Sequence, residues 1–184
     1  LTTFVIKHVL DLNEFSFFSH QKCWLFILKR VFCTLVRPLL EYASVVWNPH
    51  YKKDINKIES VQRRFTKFLP GQYCCSHEQR FINLGLERLN RRRLTADLVM
   101  CYKILHGLLD VDATQFFFSC QNHRTRGNSK RLIKSHCTSN RDSSLFWNHT
   151  VTVWNSLPDC IIVSQSVNCF KARLASFDPS RFLV

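Results

Sequence analysis

The stretch Lys52–Leu69 has the sequence KKDINKIESVQRRFTKFL, in which apolar residues recur at steps of three and four. The members of this stripe are Ile55, Ile58, Val61, Phe65 and then Phe68 or Leu69. Such spacing places side chains on one face of an α-helix. Most basic residues of the stretch fall outside the stripe. The sequence therefore predicts a basic amphipathic helix that ends before Pro70 and Gly71.

Proline, glycine and capping residues predict further helices on both sides of this stretch. Pro38 marks a boundary or a kink, after which a helix continues until Asn48–Pro49 ends it. The segment Ser76–Gln79 has the capping-box pattern that opens a short helix. Gly85 suits the left-handed position at the end of that helix.

The second half of the chain has helical spacing on both sides of a polar segment. One apolar stripe continues to Gly107 through Leu94, Leu98, Cys101 and Leu105. A helix capped near Asp142–Ser143 is expected to end at Leu157–Pro158, and a last helix capped by Ser166 buries Phe170, Leu174 and Phe177. The predicted fold class is therefore all-α, an irregular helical bundle with either one core or two small lobes joined by a basic loop.

Composition and pattern divide the chain into four segments. Hydrophobic residues make up 46% of its 184 residues, which is typical of a globular protein with one or two cores. Residues 1–30 are rich in Phe but poorly patterned, and 31–119 form the main helical region. In 120–142 apolar spacing nearly vanishes, which predicts a mobile basic loop. Residues 143–184 form the C-terminal helical segment.

Basic residues exceed acidic residues by 26 to 13, giving a formal net charge of +13. This imbalance favours a polyanionic partner, with nucleic acid as the leading candidate. The candidate phosphate contacts are Lys57, Arg63, Arg64, Lys67, Arg91, Arg92, Arg93, Arg124, Arg126, Lys130 and Arg131. The alternative is that these residues only solvate exposed helix faces. Asp97 follows Arg93 by one turn, which predicts a surface ion pair.

Aromatic side chains offer a second type of nucleic-acid contact, because bases stack on flat rings. The candidates are Trp47, Tyr73, Tyr102, Trp147 and Trp154. Most of them fall on apolar stripes, so we expect Trp47 and Trp154 to be anchors of the core.

No catalytic or metal site is predicted. The aspartates are scattered, whereas two-metal nucleotidyl transfer needs carboxylates that converge on ions roughly 3.5–4 Å apart. Nine cysteines at irregular spacing favour reduced thiols. Only Cys120 and His123 have short zinc-ligand spacing, and His136 and Cys137 would have to complete such a site. Zinc stays an alternative, and we assign no metal and no cofactor.

Neither a membrane segment nor a signal peptide is predicted. Lys29 and Arg30 interrupt the apolar run between Trp24 and Val36, which is far shorter than the roughly 20 residues that span a bilayer. The chain begins with Leu and lacks the pattern of a secretory leader. We expect a fragment of a longer protein with an intracellular location, in the cytoplasm or the nucleus.

Several segments between about Lys29 and Leu174 follow one another in a familiar order. They are Leu35–Pro49, Ile58–Arg64, Leu84–Leu86 with Leu89, Arg92–Arg93, Asp97–Leu98, Tyr102–Ile104, Arg124–Gly127, Trp154–Pro158 and Phe170–Lys171. Through them the chain resembles the region after the polymerase palm in reverse transcriptases of non-LTR retrotransposons of the LINE-like, Jockey or CR1 type. His149 stands where that family often has Arg, and the aromatic-Ala-Asp-Asp motif of the family is absent.

The resemblance implies a thumb with a helical extension that holds template RNA and nascent DNA. The expected partners are RNA, DNA or an RNA–DNA duplex, together with the missing fingers and palm. The parent enzyme would be an RNA-directed DNA polymerase that uses Mg²⁺, whereas this chain without the palm would not be an enzyme by itself. The alternative is a structural module that packs against the rest of a larger polyprotein and binds no nucleic acid.

Overall fold

The computed structural model of the protein describes residues 19–49, 51–119, 130–134, 146–179 and 182–183. Helices dominate these residues, and the sheet they contain has two strands of two residues each. The predicted all-α fold class is confirmed.

The N-terminal part is one long helix followed by a short one. Its elements are α1 at Ser19–Val31, a π-helical turn at Phe32–Val36, α2 at Arg37–Glu41 and α3 at Ser44–Trp47. Pro38 lies in the first turn of α2, and the flanking backbone stays right-handed helical, so the helix continues past the proline. The chain changes direction at Ala43, whose φ of 49° is left-handed.

Three helices form the middle of the chain. They are α4 at Lys52–Phe68, α5 at His77–Leu84 and α6 at Leu89–Leu105. The side chain of Ser76 accepts a hydrogen bond from the Gln79 amide at 3.2 Å, as the capping pattern predicted. Gly85 ends α5 with a φ of 55°, which is the predicted left-handed position.

The remaining elements are short. They are a 3₁₀ turn at Ala113–Gln115, strands β1 at Phe118–Ser119 and β2 at Leu132–Ile133, and helices α7 at Phe146–Trp154, α8 at Asp159–Ile162 and α9 at Val167–Ala175. The two strands pair antiparallel, with Phe118 opposite Ile133. Ser166 caps α9 as predicted, by accepting from the Cys169 amide.

The described part of the predicted mobile loop, residues 130–134, contains the strand β2. The Asn155 side chain accepts from the Leu132 amide at 2.9 Å and donates to the Leu132 carbonyl at 2.8 Å. The indole of Trp154 donates to the Lys130 carbonyl at 2.9 Å. These side chains satisfy backbone groups of residues 130–134 that would otherwise bind water.

The larger hydrophobic core lies between α6, α7 and α9. Leu98, Tyr102, Trp154 and Phe170 are fully buried in it, and the rings of Tyr102 and Phe170 stack at 4.5 Å. Trp154 is therefore the core anchor that was predicted. The core takes side chains from both 31–119 and 143–184, so these segments are not separate lobes on either side of the basic loop.

A smaller cluster joins α1 to α4 and α5. It contains buried Leu69, Phe81 and Leu84, and the rings of Phe32 and Phe65 stack beside it at 4.2 Å. This contact attaches the long N-terminal helix to the middle of the chain.

The buried face of α4 differs from the predicted apolar stripe. The buried residues of α4 are Ile55, Glu59, Gln62 and Thr66. Val61 and Phe68 are exposed instead. The Gln62 amide donates to the Glu87 carbonyl at 2.8 Å, and Glu59 accepts from the Asn90 amide at 2.7 Å. Polar side chains are buried here because they bind the start of α6, where backbone groups lack helical partners.

Candidate nucleic-acid interface

The outer side of α4 carries four of the predicted phosphate contacts. Lys57, Arg63, Arg64 and Lys67 are all exposed, as their position outside the packed face requires. The Lys57 ammonium lies 3.6 Å from the Asp54 carboxylate, and Lys67 lies 5.5 Å from the centre of the Tyr73 ring. No carboxylate among the described residues forms an ion pair with either arginine. We call these four residues the basic face.

A cleft of about 290 Å³ lies between α4 and the start of α6. Its lining includes Arg63, Arg88, His77 and Asn90, so one arginine of the basic face borders both helices. Burial lowers the pKa of His77, and the positive charge of Arg63 lowers it further. Arg88 forms an ion pair with Glu78. The cleft therefore has one cation, Arg63, and one carboxylate, Glu59, on the α4 side, and a cation paired with Glu78 on the other side.

Two of the three predicted arginines at the start of α6 are partly neutralised. Arg92 donates two hydrogen bonds to Glu41, one of them at 2.9 Å, and this bonding raises the pKa of the guanidinium. Arg91 lies 3.7 Å from Glu87. Both arginines remain half-exposed. Acidic neighbours reduce what either residue can contribute to phosphate binding, in contrast to Arg63 and Arg64.

Arg93 does not belong to the surface, and the prediction of a phosphate contact there is corrected. The residue is 1% exposed, donates to the Leu40 carbonyl at 3.3 Å, and places its guanidinium 5.4 Å from the centre of the Trp47 ring. Burial lowers the pKa of Arg93. The helices α2 and α3 cover this side of α6, so the third arginine of the run points inward.

Asp97 is buried beside Arg93, so the predicted surface ion pair is also corrected. Its carboxylate accepts from the Asn48 side chain at 3.1 Å, and the same oxygen lies 2.9 Å from Nε2 of His149. Burial raises the pKa of Asp97, while the contacts with His149 and Asn48 oppose that rise. The cluster joins α6 to the end of α3 and to α7.

The basic residues of the predicted loop are only partly described. Arg124 and Arg126 lie outside the described residues. Lys130 is half-buried next to α7, and burial lowers the pKa of its ammonium. Arg131 is exposed on the segment that leads into β2. Lys130 and Arg131 lead into β2, which contacts α7, whereas the basic face belongs to α4, which contacts α5 and α6.

The structure also separates the aromatic candidates. Tyr102 is buried and donates to the Ser164 carbonyl, and Trp147 is half-buried against Phe116 with ring centres 5.8 Å apart. Tyr73 is exposed. Trp47 is 42% exposed, so the prediction that it anchors the core is wrong. The ring is supported from inside by Arg93 and lies at the surface because α3 ends there.

Sequence reasoning missed two surface features. One is Arg88, which forms part of the cleft at the start of α6. The other is the groove between α3 and α4 where Trp47 and Tyr51 are exposed. The sequence contained a signal for the groove. Trp47 and Tyr51 lie on either side of Asn48–Pro49, where a helix is predicted to end, and connections between helices lie at the surface.

The predicted zinc ligands Cys120, His123, His136 and Cys137 all lie outside the described residues. Within the described ranges, no group of three or more His, Cys, Asp or Glu side chains is arranged to hold a metal ion. The cysteines that the structure describes are free thiols. Burial raises the pKa of Cys101 far above its usual value, as expected for a thiol that packs in the core.

None of the described helices is both long enough and apolar enough to cross a lipid bilayer. Comparisons with protein-family models, with curated proteins and with solved structures find no match for this chain.

Proposed function

We propose that the chain is the thumb and post-palm part of a non-LTR retrotransposon reverse transcriptase, and that it binds RNA, DNA or an RNA–DNA duplex without catalysis of its own. The observation that carries the proposal is the basic face of α4, where Arg63 and Arg64 are exposed without acidic partners in the described structure. Cations that neutralise phosphates release condensed counterions, which gives affinity with little sequence readout.

The contacts between the segments that resemble non-LTR reverse transcriptases support the same proposal. Asn48 belongs to the first of them and Asp97 to another, and their side chains are hydrogen-bonded. In the segment Trp154–Pro158, Trp154 binds the backbone of Lys130 and Asn155 binds that of Leu132 in β2. Segments that are far apart in the sequence thus contribute to one folded unit, as expected if they derive from one domain of the family.

Titration of a fluorescently labelled RNA–DNA duplex tests the proposal by anisotropy. We expect the affinity to fall steeply between about 50 mM and about 200 mM NaCl. The double variant Arg63→Gln, Arg64→Gln should reduce the slope of log affinity against log salt by about 1 per residue. The matched control is Lys171→Gln, which removes an exposed cation on α9 and should leave the slope unchanged. Absent or salt-insensitive binding rejects the proposal.

The second candidate function is a structural module that packs against the rest of a larger polypeptide. It is favoured by large apolar side chains that are exposed on α2 and α3 and in the segments next to them, namely Leu35, Leu39, Tyr42 and Val46. Contiguous exposed apolar surface is typical of protein interfaces. Gel filtration separates the two functions. Aggregation of the isolated chain, relieved when it is joined to palm residues, would support the structural module.

A further inference from the structure

A shallow groove of about 470 Å³ runs between the end of α3 and the first turns of α4. Its walls include Trp47, Pro49, Tyr51, Ile58 and Lys57. The groove thus combines two aromatic rings, apolar contacts and the ion pair of Lys57 with Asp54, and Lys57 is also a member of the basic face.

The indole of Trp47 is held in place from the inside. The Arg93 guanidinium lies 5.4 Å from the ring centre, and the indole Nε1 donates to the Tyr42 carbonyl. Cations are attracted to the face of an aromatic ring, and most strongly to that of Trp. The ring is therefore held in place, while Trp47 lines the groove and 42% of the residue stays exposed.

The beginning of α4 adds a second aromatic ring and charged groups to the lining of the groove. Tyr51 is 63% exposed, and the Lys57 side chain reaches solvent from the next turn of α4. The groove is also lined by the carboxylate of Asp54, which lies 3.6 Å from Lys57, so the two charges partly offset each other. The groove itself therefore suits a flat, partly apolar and uncharged group such as a base, while Arg63 and Arg64, which have no ion-pair partner among the described residues, lie farther along α4.

We propose that this groove takes an unpaired base of single-stranded RNA or DNA, whose backbone then follows the basic face of α4. The proposal rests on the proposed function and adds the form of nucleic acid that is bound. In a duplex, both faces of each base are covered by its neighbours, so exposed aromatic rings favour an unpaired base. A second copy of the chain is disfavoured as the occupant because each copy carries a net charge of +13.

Tyr51→Ala tests the inference better than a change at Trp47, because Trp47 also covers the buried Arg93. We expect Tyr51→Ala to weaken binding to labelled oligo-dT and oligo-rU by about tenfold, as for loss of one stacked base. Tyr51→Phe should keep the wild-type affinity, since the ring is retained. Binding to a duplex should be unchanged, and the salt slope should also persist because no phosphate contact is removed.

The control is Phe26→Ala, which removes an exposed aromatic ring on α1, outside both the groove and the basic face. The inference is overturned if Tyr51→Ala leaves single-strand affinity unchanged, lowers duplex affinity equally, or has the same effect as Phe26→Ala. In those cases salt-dependent duplex binding by the wild type would still support the proposed function. If the wild type binds neither form, both proposals fail. Comparison of oligo-dT with oligo-rU shows which strand is bound more tightly, and loss of affinity for either strand in Tyr51→Ala supports the inference.

Discussion

Asp97 shows that the spacing of two residues along a helix does not determine whether they are exposed or buried. Its distance of four residues from Arg93 fits a pair on a helix surface, and the sequence predicted one. The structure buries both side chains and brings Asn48 and His149 to the carboxylate. The spacing is the same in either case. What differs is that α3 and α7 cover this face of α6, and that depends on residues about fifty positions away.

The free energy of unfolding is expected to depend on the titration of Asp97. Burial raises its pKa in the folded state above the ordinary value of 3.8. Its contribution to stability is therefore fully present below the unfolded pKa, and it is lost as the pH rises through the folded pKa. Relative to Asp97→Asn, which cannot ionise, the wild type should lose stability with rising pH. Urea unfolding of both proteins from about pH 3 to about pH 7 measures this difference.

Asp112 provides a matched control with the opposite sign. Its carboxylate accepts two hydrogen bonds from Thr114, which lower its pKa. The contribution of Asp112 is thus present above the unfolded pKa and is lost as the pH falls through the folded pKa. Relative to Asp112→Asn, the wild type should gain stability with rising pH. If the stability of the wild type relative to each Asn variant changed with pH in the same direction at both positions, the buried environment of Asp97 would be contradicted.

At the scale of the helix, α4 buries a face that an apolar pattern does not indicate. Gln62 and Thr66 are fully buried, whereas Val61 is exposed. An amphipathic pattern assumes that burial follows hydrophobicity. Here Gln62 and Glu59 each make one hydrogen bond to the segment that begins α6, and these bonds offset part of the cost of removing polar groups from water. The bonds exist only because the two helices meet.

Phe68 and Leu69 provide a direct test of the observed packing of α4. Either residue could complete the predicted stripe, but in the structure Leu69 is 2% exposed and Phe68 is 59% exposed. Leu69→Ala should lower the free energy of unfolding by about 2–5 kcal/mol, because it leaves a cavity. Phe68→Ala should lower it by less than about 1 kcal/mol. Urea unfolding followed by circular dichroism measures both, and equal losses would contradict this packing.

The strand β2 is expected to depend on the side chain of Asn155. This amide forms hydrogen bonds with both backbone groups of Leu132, so Asn155→Ala removes two bonds at once. Amide hydrogen exchange in residues 130–134 should become faster by about tenfold or more, given about 1 kcal/mol for each bond. Asn168→Ala, at an exposed position of α9, is the control and should leave this exchange unchanged. Protection that persists in Asn155→Ala would show that other contacts hold β2.

On the scale of the whole molecule, the positive charges are unevenly compensated. Glu41, Glu78 and Glu87 pair with arginines near the start of α6, while Arg63 and Arg64 have no ion-pair partner among the described residues. A charge of +13 on one chain also repels itself in the compact state. The charge that favours binding of a polyanion is therefore expected to cost some stability.

The melting temperature should rise when NaCl increases from about 0.01 M to about 0.2 M, with most of the rise below about 0.1 M, where the screening length has fallen to roughly 10 Å. Differential scanning calorimetry measures this change. The double variant Lys52→Glu, Lys53→Glu changes two exposed residues and reduces the repulsion, so its response to salt should be smaller. A melting temperature that falls with salt in the wild type would mean that attractive ion pairs outweigh the repulsion.

The sequence by itself determined the fold class, the helix ends at Ser76, Gly85 and Ser166, and the burial of Trp154 and Phe170. Caps, glycine turns and apolar spacing depend on neighbours within a few residues, so a local pattern contains them. Only the tertiary structure decided that Arg93 and Asp97 are buried, that Trp47 is exposed, and that residues 130–134 include a strand. Each of these depends on which distant helix covers a given face, because burial and hydrogen bonding are properties of both partners in a contact.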